Sequence, residues 1–591
     1  MAQIETPVLI VGGGGAGLTA SMLLSKLGVE SLLVSALPST SILPKAHVLN
    51  QSAMEVLGDV GVAEEIYRRG TPAENMRYTA YYAGFAGRDP VYGRQIGRLE
   101  AWGAGGLDTD WASASPCRQA NLPQIRLEPI LKKGAEALAP GRVRFHHELV
   151  DLDQHADGVT ATVLDKDTAE PSNVRARYLL ACDAGRTLGP HLGVKLEGPR
   201  DIMRIVSVYM SADLSRVARD PDVLIRWIWI PSLSVLATLV PMGPDHWGPD
   251  SEEWVFHLNY ENEDTRALDD ARVVANMKAA LGLPDLDAKV HVVSRWSMEG
   301  IVADRFRVGR VFLVGDAAHR HPPTGGLGLT SAIHDADNLC WKIAAVLAGH
   351  AEDELLDSYE PERRAADARN VQRSLENGMN HLKIANSIGI TRDGEKQANL
   401  AALRSALSDG SHRRAVLAVI ASQSMELHEH VVEYGYSYAS SAVVDDGSPP
   451  PDSGDDIRLY VPGTRPGAPL PHAVIEDADG RRLSTLDLVA PGRFVLIAGE
   501  DGAAWRDAAL ALAEERGVPL DALRIGHVAG EYRDPRCAWL RRREIGPHGA
   551  VLVRPDRFVA WRSLAAASDP AAALARAFSQ ILGRAIAPVR A

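Results

Sequence analysis

Gly12, Gly14 and Gly17 stand in the N-terminal run Val8–Gly17 at the spacing G-x-G-x-x-G. Glycines at that spacing let a backbone turn tightly, let a pyrophosphate approach it, and let a helix close on a strand. Val8–Val11 is a short apolar β run, and the segment from there to Gly28 has apolar residues at helical spacing. Strand, turn and helix together make the motif a dinucleotide site, with the helix N-terminus around Gly15 presenting N–H groups to phosphates. About 20 residues further on, where an acidic residue usually accepts the ribose hydroxyls, the chain has Ser35, an uncharged and weaker partner.

A second glycine-rich segment, Gly309–Gly328, lies some 300 residues downstream. Arg310–Val314 reads as a strand, with Asp316 just past its end. Pro322, Pro323, Gly325, Gly326 and Gly328 predict irregular backbone until a helix over roughly 330–347, which Leu329 and Thr330 lead into. A loop feeding a helix N-terminus can seat a delocalised anion such as a reduced flavin ring, so the two motifs describe one flavin held at both ends. His319 and His321 form H-x-H without an evident third ligand for a metal, and Glu426-Leu427-His428-Glu429-His430 reads as a solvated helix face.

Further segments follow in order along nearly the whole chain: Pro44–Leu57, Ser115–Leu131, Tyr178–Gly185, and LSTLDL and GRFVLIAG near the C-terminus. On these motifs the sequence resembles the single-component FAD-dependent aromatic hydroxylases. The likeness is to their phenol-hydroxylating branch (2,4-dichlorophenol and 2-hydroxybiphenyl monooxygenases) and to oxygenases that tailor aromatic polyketides. The resemblance implies FAD, with Gly12, Gly14, Gly15 and Gly17 at the pyrophosphate and Ser35 near the adenosine ribose. Asp316 would meet the ribityl or ribose side, and Pro323, Gly325, Gly326, Gly328, Leu329 and Thr330 would line the isoalloxazine. Gln124 would contact the flavin chain, and Asp183 belongs to a motif shared by FAD and NAD(P)H. Lys45 replaces an arginine and keeps the charge without the bidentate fork. Ala184 replaces a glycine, and Thr330 an asparagine. Arg118 suits either the FAD phosphates or the surface.

The implied reaction uses NAD(P)H and O2 to hydroxylate a phenolic or polycyclic aromatic substrate through a flavin C4a-hydroperoxide. Baeyer–Villiger or rearrangement tailoring of a polyketide is the alternative, and a non-catalytic binding module of the same fold a third reading. His47 is the candidate base that forms a phenolate, or else a histidine packed beside the flavin.

Both motifs must meet in space. The expected fold is therefore α/β, with a discontinuous Rossmann-like FAD-binding domain from residues 1–75, 111–190 and 296–380. Residues 76–110 and 191–295 form an inserted antiparallel-sheet substrate domain. Trp227, Trp229 and Tyr260 lie in it, as sheet core or as pocket lining. A helical connection (381–444), an acidic Pro/Gly/Ser-rich linker (445–456) and a thioredoxin-like C-terminal domain (457–591) complete the chain. Cys537 stands alone in that last domain, so it has no disulfide redox pair and a structural or dimer-forming role. A homodimer or higher homo-oligomer is expected. The net charge of −13 argues against nucleic-acid partners, and no apolar stretch approaches the roughly 18–20 residues of a membrane span. The absence of a basic leader and the four scattered cysteines point to a cytoplasmic protein with reduced thiols.

Overall fold

The computed structural model describes residues 2–231, 235–260, 265–391, 395–451 and 457–589. The N-terminal apolar run extends over Ala2–Val11 and sits at the centre of a sheet. It pairs in parallel with Ser31–Ser35 on one side and with Pro171–Ala181 on the other. Val143–Phe145 and Val311–Leu313 extend the parallel array outward. Strands buried on both faces need near-continuous apolar sequence, and Val8, Leu9, Ile10, Leu32, Leu33, Leu179 and Leu180 are all fully buried. Because these strands run parallel, the turns after Val11, Ser35, Ala181 and Leu313 all emerge at one edge. Ligands of open α/β sheets bind at that edge.

The second sheet has seven strands, in the order Ala288–Met298, Met203–Ala212, Glu253–Tyr260, Val235–Gly243, Val223–Ile230, Tyr78–Ala83 and Arg94–Glu100. It is antiparallel except that Val223–Ile230 pairs in parallel with Tyr78–Ala83, a correction to the all-antiparallel expectation. Those two strands come from distant parts of the chain, so no hairpin dictates their direction. One face packs against the helix Asp270–Leu281 through Phe256, Leu258, Val273 and Met277. The other face carries Tyr81, Tyr209, Trp229 and Val255, and turns toward Val48 and the helix Tyr359–Ile388.

In the C-terminal thioredoxin-like domain, the buried strand Phe494–Ala498 lies between Leu520–Gly526 and Ala550–Val553, with the helices Ala503–Arg516 and Pro570–Leu582 alongside. The expected linker is not free where it is described. Arg562 donates to Asp446 Oδ2 at 2.6 Å and to Ser448 Oγ at 2.7 Å, which pins its first part to this domain. Residues 452–456 of that stretch lie outside the described residues.

Candidate functional site

Gly12 has φ 121°, and a Cβ there would lie 2.1 Å from the Cys182 carbonyl oxygen; a Cβ on Gly17 would lie 2.0 Å from that of Gly12. Both glycines are dictated by backbone against backbone. A Cβ on Gly14 would meet only Glu128 Oε1, at 3.6 Å, so this is the open place in the turn. The helix that follows, Gly15–Lys26, has no side-chain cap, which leaves its first N–H groups to an anion.

The two glycine motifs meet. A Cβ on Gly15 would touch Leu329, and one on Gly315 would sit 3.1 Å from Ala16 and 3.0 Å from Ala332. The helix of the second motif begins at Leu327, three residues earlier than the glycines suggested, with Gly326 (φ 70°) as its N-cap. Gly328 therefore lies inside the helix, where its missing side chain gives room beside His321. Asp335, fully buried in the same helix, ties the motif together. Its Oδ2 accepts from the Gly315 N–H at 2.9 Å and faces His319 Nε2 at 2.8 Å, while Oδ1 accepts from Arg363 at 2.8 Å. This frame holds the Gly315–Ala317 turn and leaves Asp316 exposed, its carboxylate without a side-chain partner among the described residues.

His319, His321 and Asp367 bring three ligand atoms within 4.8 Å of one another, so Asp367 supplies the third group that the H-x-H spacing did not reveal. The cluster is already compensated internally. Arg363 donates to Asp367 Oδ1 at 2.7 Å, and His321 Nε2 meets His319 Nδ1 at 3.0 Å. Burial alone would lower the pKa of His319, but Asp367 and Asp335 outweigh it and raise it to about 9. A protonated imidazole beside a guanidinium is a poor cation site.

Gln124 reaches the same edge. Its N–H donates to the carbonyls of Pro44 and Ala46, on either side of Lys45, and its side chain donates to Glu128 Oε1 at 2.5 Å. Glu128, 2% exposed, also accepts from the Ser41 N–H; it fixes the Lys45 loop and was not singled out in the sequence. Lys45 itself is exposed, with φ 48°. Ser35 is buried at the end of its strand, against Gly13. Asp183 faces inward to its own loop, accepting from the N–H groups of Gly185, Thr187 and Leu188. Arg118 is exposed and lies over the Tyr67 ring at 4.7 Å, lining a cavity of about 250 Å³ with Trp102 and Trp111.

His47 sits between this edge and the second sheet. Its Nδ1 meets Asn121 Oδ1 at 2.5 Å, and Asn121 Nδ2 donates to Thr71 Oγ1 at 2.6 Å. The Asn121 oxygen only accepts, so His47 carries its hydrogen on Nδ1 and offers a lone pair at Nε2. Burial lowers its pKa, against the Asn121 hydrogen bond, so the base form prevails near neutrality. Trp227 and Trp229 are on the sheet face toward this site, Trp227 stacked on Tyr81 and 4.3 Å from His381. Tyr260 is not: it packs on the opposite face, and its hydroxyl accepts from Asn276. The segment Glu426–His430 is likewise not a solvated face. Glu426, Glu429 and His430 are buried, with Glu429 accepting from Asn377 at 2.6 Å and the His430 ring tilted against Trp111, centroids 4.0 Å apart.

These residues fit FAD. Two open helix N-termini converge, and the Gly14 turn leaves room for a phosphate. Asp316 is free of side-chain partners among the described residues and so available to a sugar hydroxyl, and the buried Thr330 hydroxyl, in the first turn after the Pro323–Gly326 loop, has no partner among the described residues.

A family model described as an FAD binding domain matches residues 5–374, and one described as the C-terminal part of aromatic-ring hydroxylases matches residues 463–585. The 2,4-dichlorophenol 6-monooxygenase of Delftia acidovorans is 37% identical over 573 residues, with 95% of each chain covered. The tetracenomycin B2 monooxygenase-dioxygenase of Streptomyces olivaceus is 36% identical over 604 residues, with 99% of this chain and 100% of that one covered. The crystal structure of the flavin-dependent monooxygenase PieE in complex with FAD and substrate matches with a TM-score of 0.89 at 36% identity, with 99% of this chain and 100% of that one covered. Two glycine loops meeting at one sheet edge, a second, seven-stranded sheet facing them and full-length likeness on this scale place the chain in the family of FAD-dependent aromatic-ring hydroxylases.

Proposed function

We propose that the protein hydroxylates a phenolic ring, on a simple phenol or a fused-ring aromatic, with NAD(P)H and O2 as co-substrates and His47 as the base. It would act as a cytoplasmic homo-oligomer. Bound and reduced, FAD supplies activated oxygen for transfer to the ring. The transfer is electrophilic, so the protein's most useful contribution is to make the substrate electron-rich. His47 Nε2 can take the phenolic proton, because Asn121 fixes the other ring nitrogen as the donor and burial keeps the imidazole neutral. Val48, next in sequence, packs against Gly326 of the flavin loop, so the base is held beside the isoalloxazine seat. The observation that carries this reading is the Thr71–Asn121–His47 chain, which fixes the hydrogen of His47 on Nδ1 and orients the lone pair at Nε2.

His47→Ala is expected to lower kcat on 2,4-dichlorophenol by about 10²–10⁴-fold, with FAD content and melting temperature retained. Unchanged turnover would refute the assignment. A polyketide oxygenation in which the oxygen acts as a nucleophile is the second reading, favoured by a tetracenomycin oxygenase at almost the same identity as the phenol enzyme. It needs no base at Nε2, so His47→Ala that loses phenols but keeps turnover on a fused-ring quinone would select it.

A further inference from the structure

A second imidazole faces His47 from the substrate sheet. His257 lies in the strand Glu253–Tyr260, where Trp254, Phe256 and Leu258 point into the core behind the sheet while Val255 belongs to the face toward the flavin domain. Strand alternation puts His257 on that same face. His257 stands in register with Thr238 and, through it, with Trp227 of the same face, and a charge on His47 would disfavour one on His257; no hydrogen bond joins the two rings among the described residues.

The hydrogen-bond pattern fixes which nitrogen of His257 carries the hydrogen. Trp296 Nε1–H, a donor only, reaches Ser207 Oγ at 2.9 Å, and Ser207 Oγ meets His257 Nδ1 at 2.7 Å. Ser207 is 8% exposed, and among the described residues its hydroxyl hydrogen has no other acceptor than His257. It therefore goes to His257 Nδ1, which leaves the imidazole's own hydrogen on Nε2. Burial lowers the pKa of His257 to about 4, so the ring stays neutral with that single N–H.

The two rings are thus opposite in kind: His47 offers an acceptor at Nε2, held by Asn121, and His257 a donor at Nε2, held by Ser207 and Trp296. We propose that His257 contacts the substrate, donating from Nε2 to a second oxygen on the ring system whose first hydroxyl is taken by His47. The substrate class this selects is an aromatic with two oxygen functions, a hydroxyl together with a further hydroxyl or carbonyl, in preference to a monophenol. Ser207 and Trp296 are positioning residues. The proposal rests on the aromatic-hydroxylase reading and narrows its substrate.

The test is binding to the oxidised holoenzyme, read from the perturbation of the flavin absorption band, so that it does not depend on turnover. The probes are 1-naphthol and the 1,3-, 1,5- and 1,8-dihydroxynaphthalenes. At least one dihydroxy isomer is expected to bind about tenfold more tightly than 1-naphthol, and His257→Phe to remove that advantage while 1-naphthol affinity stays within about twofold. Ser207→Ala, which leaves the imidazole in place, should shrink the advantage severalfold; it carries the test if His257→Phe fails to retain FAD. An absent advantage in the wild type, or one that survives in both variants, overturns the proposal. Failure of the base reading is separate: it shows as undiminished phenol turnover in His47→Ala, whatever the binding data say.

Discussion

Ala184 sits at φ 58° in the loop after the strand Pro171–Ala181, between Asp183 and Gly185. An L side chain in that region costs about 1–2 kcal/mol. The loop tolerates it because both ends are tied: Asp183 accepts from the N–H groups of Gly185, Thr187 and Leu188, and Arg320 donates to the Ala184 carbonyl at 2.8 Å while pairing with Glu299. Ala184→Gly relieves the strain and adds back some freedom to the unfolded chain, so the expected net gain is about 0.5–1 kcal/mol. It should appear as a rise of roughly 1–3 °C in the melting temperature of the holoprotein. A fall would mean that the methyl group makes contacts worth more than the strain.

The first strand, its turn and its helix work as one element, and two neighbouring glycines in it should differ sharply. At Gly17 a Cβ would lie 2.0 Å from the Gly12 carbonyl oxygen, with backbone on both sides, so Gly17→Ala must force helix and strand apart. At Gly15 the obstacle is the tip of Leu329, 2.8 Å away, and a leucine rotamer change can clear it. Purified Gly17→Ala is expected to retain less than a tenth of the wild-type FAD, whereas Gly15→Ala should fold and hold FAD more weakly. Equal flavin content in the two would remove the backbone argument. This element was legible because its glycines are dictated locally. Tyr260 takes the sheet-core reading and not the pocket-lining one, which the sequence left open because composition marks a strand but not which of its faces meets which neighbour; register decides that. Asn121, Asp335 and His257 carry no local signature, since their partners lie 16 to 74 residues away, and the i,i+4 pair of Glu128 with Gln124 gives no hint of its bond to Ser41, 87 residues away. Glu426–His430 looked solvated because five polar-rich residues in a row usually are. Here each polar group meets a buried partner on the helix Tyr359–Ile388 or near Trp111, which sequence spacing cannot show.

For the whole molecule, the C-terminal domain is part of the flavin domain's core rather than a tethered module. Trp341 meets Phe494 edge-on at 5.7 Å, and the buried Arg554 reaches across to Glu362 at 2.6 Å, where Lys342 also ends at 2.7 Å. Beside this seam lies an acidic one. Arg557 of the C-terminal domain pairs with Asp59 at 2.6 Å, near Glu55 and Asp337. Withdrawal from water raises Glu55 to about 7 and Glu433 to about 8, the latter also pushed up by Glu55. Asp337 rises to about 8 for the same first reason, with Asp556 and Asp59 adding to it. A carboxyl with a raised folded pKa binds more protons folded than unfolded. Its contribution is full below its unfolded value near 4 and is lost as pH climbs through 7–8. Glu362 has the opposite sign: although burial opposes it, Arg554 and Lys342 hold its pKa down, so its contribution is lost only on acidification. Stability should therefore fall from about pH 5 toward pH 8, by up to about 1.4 kcal/mol per pH unit for each of these carboxyls over the range in which it is protonated in the folded protein and ionised in the unfolded chain. Glu433→Gln keeps an acceptor for the Ser52 N–H, bonded at 2.7 Å, and stays neutral throughout, so it should flatten that fall. Melting temperatures of both proteins across pH 5–8 decide the matter. A wild-type curve that stays level or climbs from pH 6 to 8 is incompatible with carboxyls kept protonated at this seam.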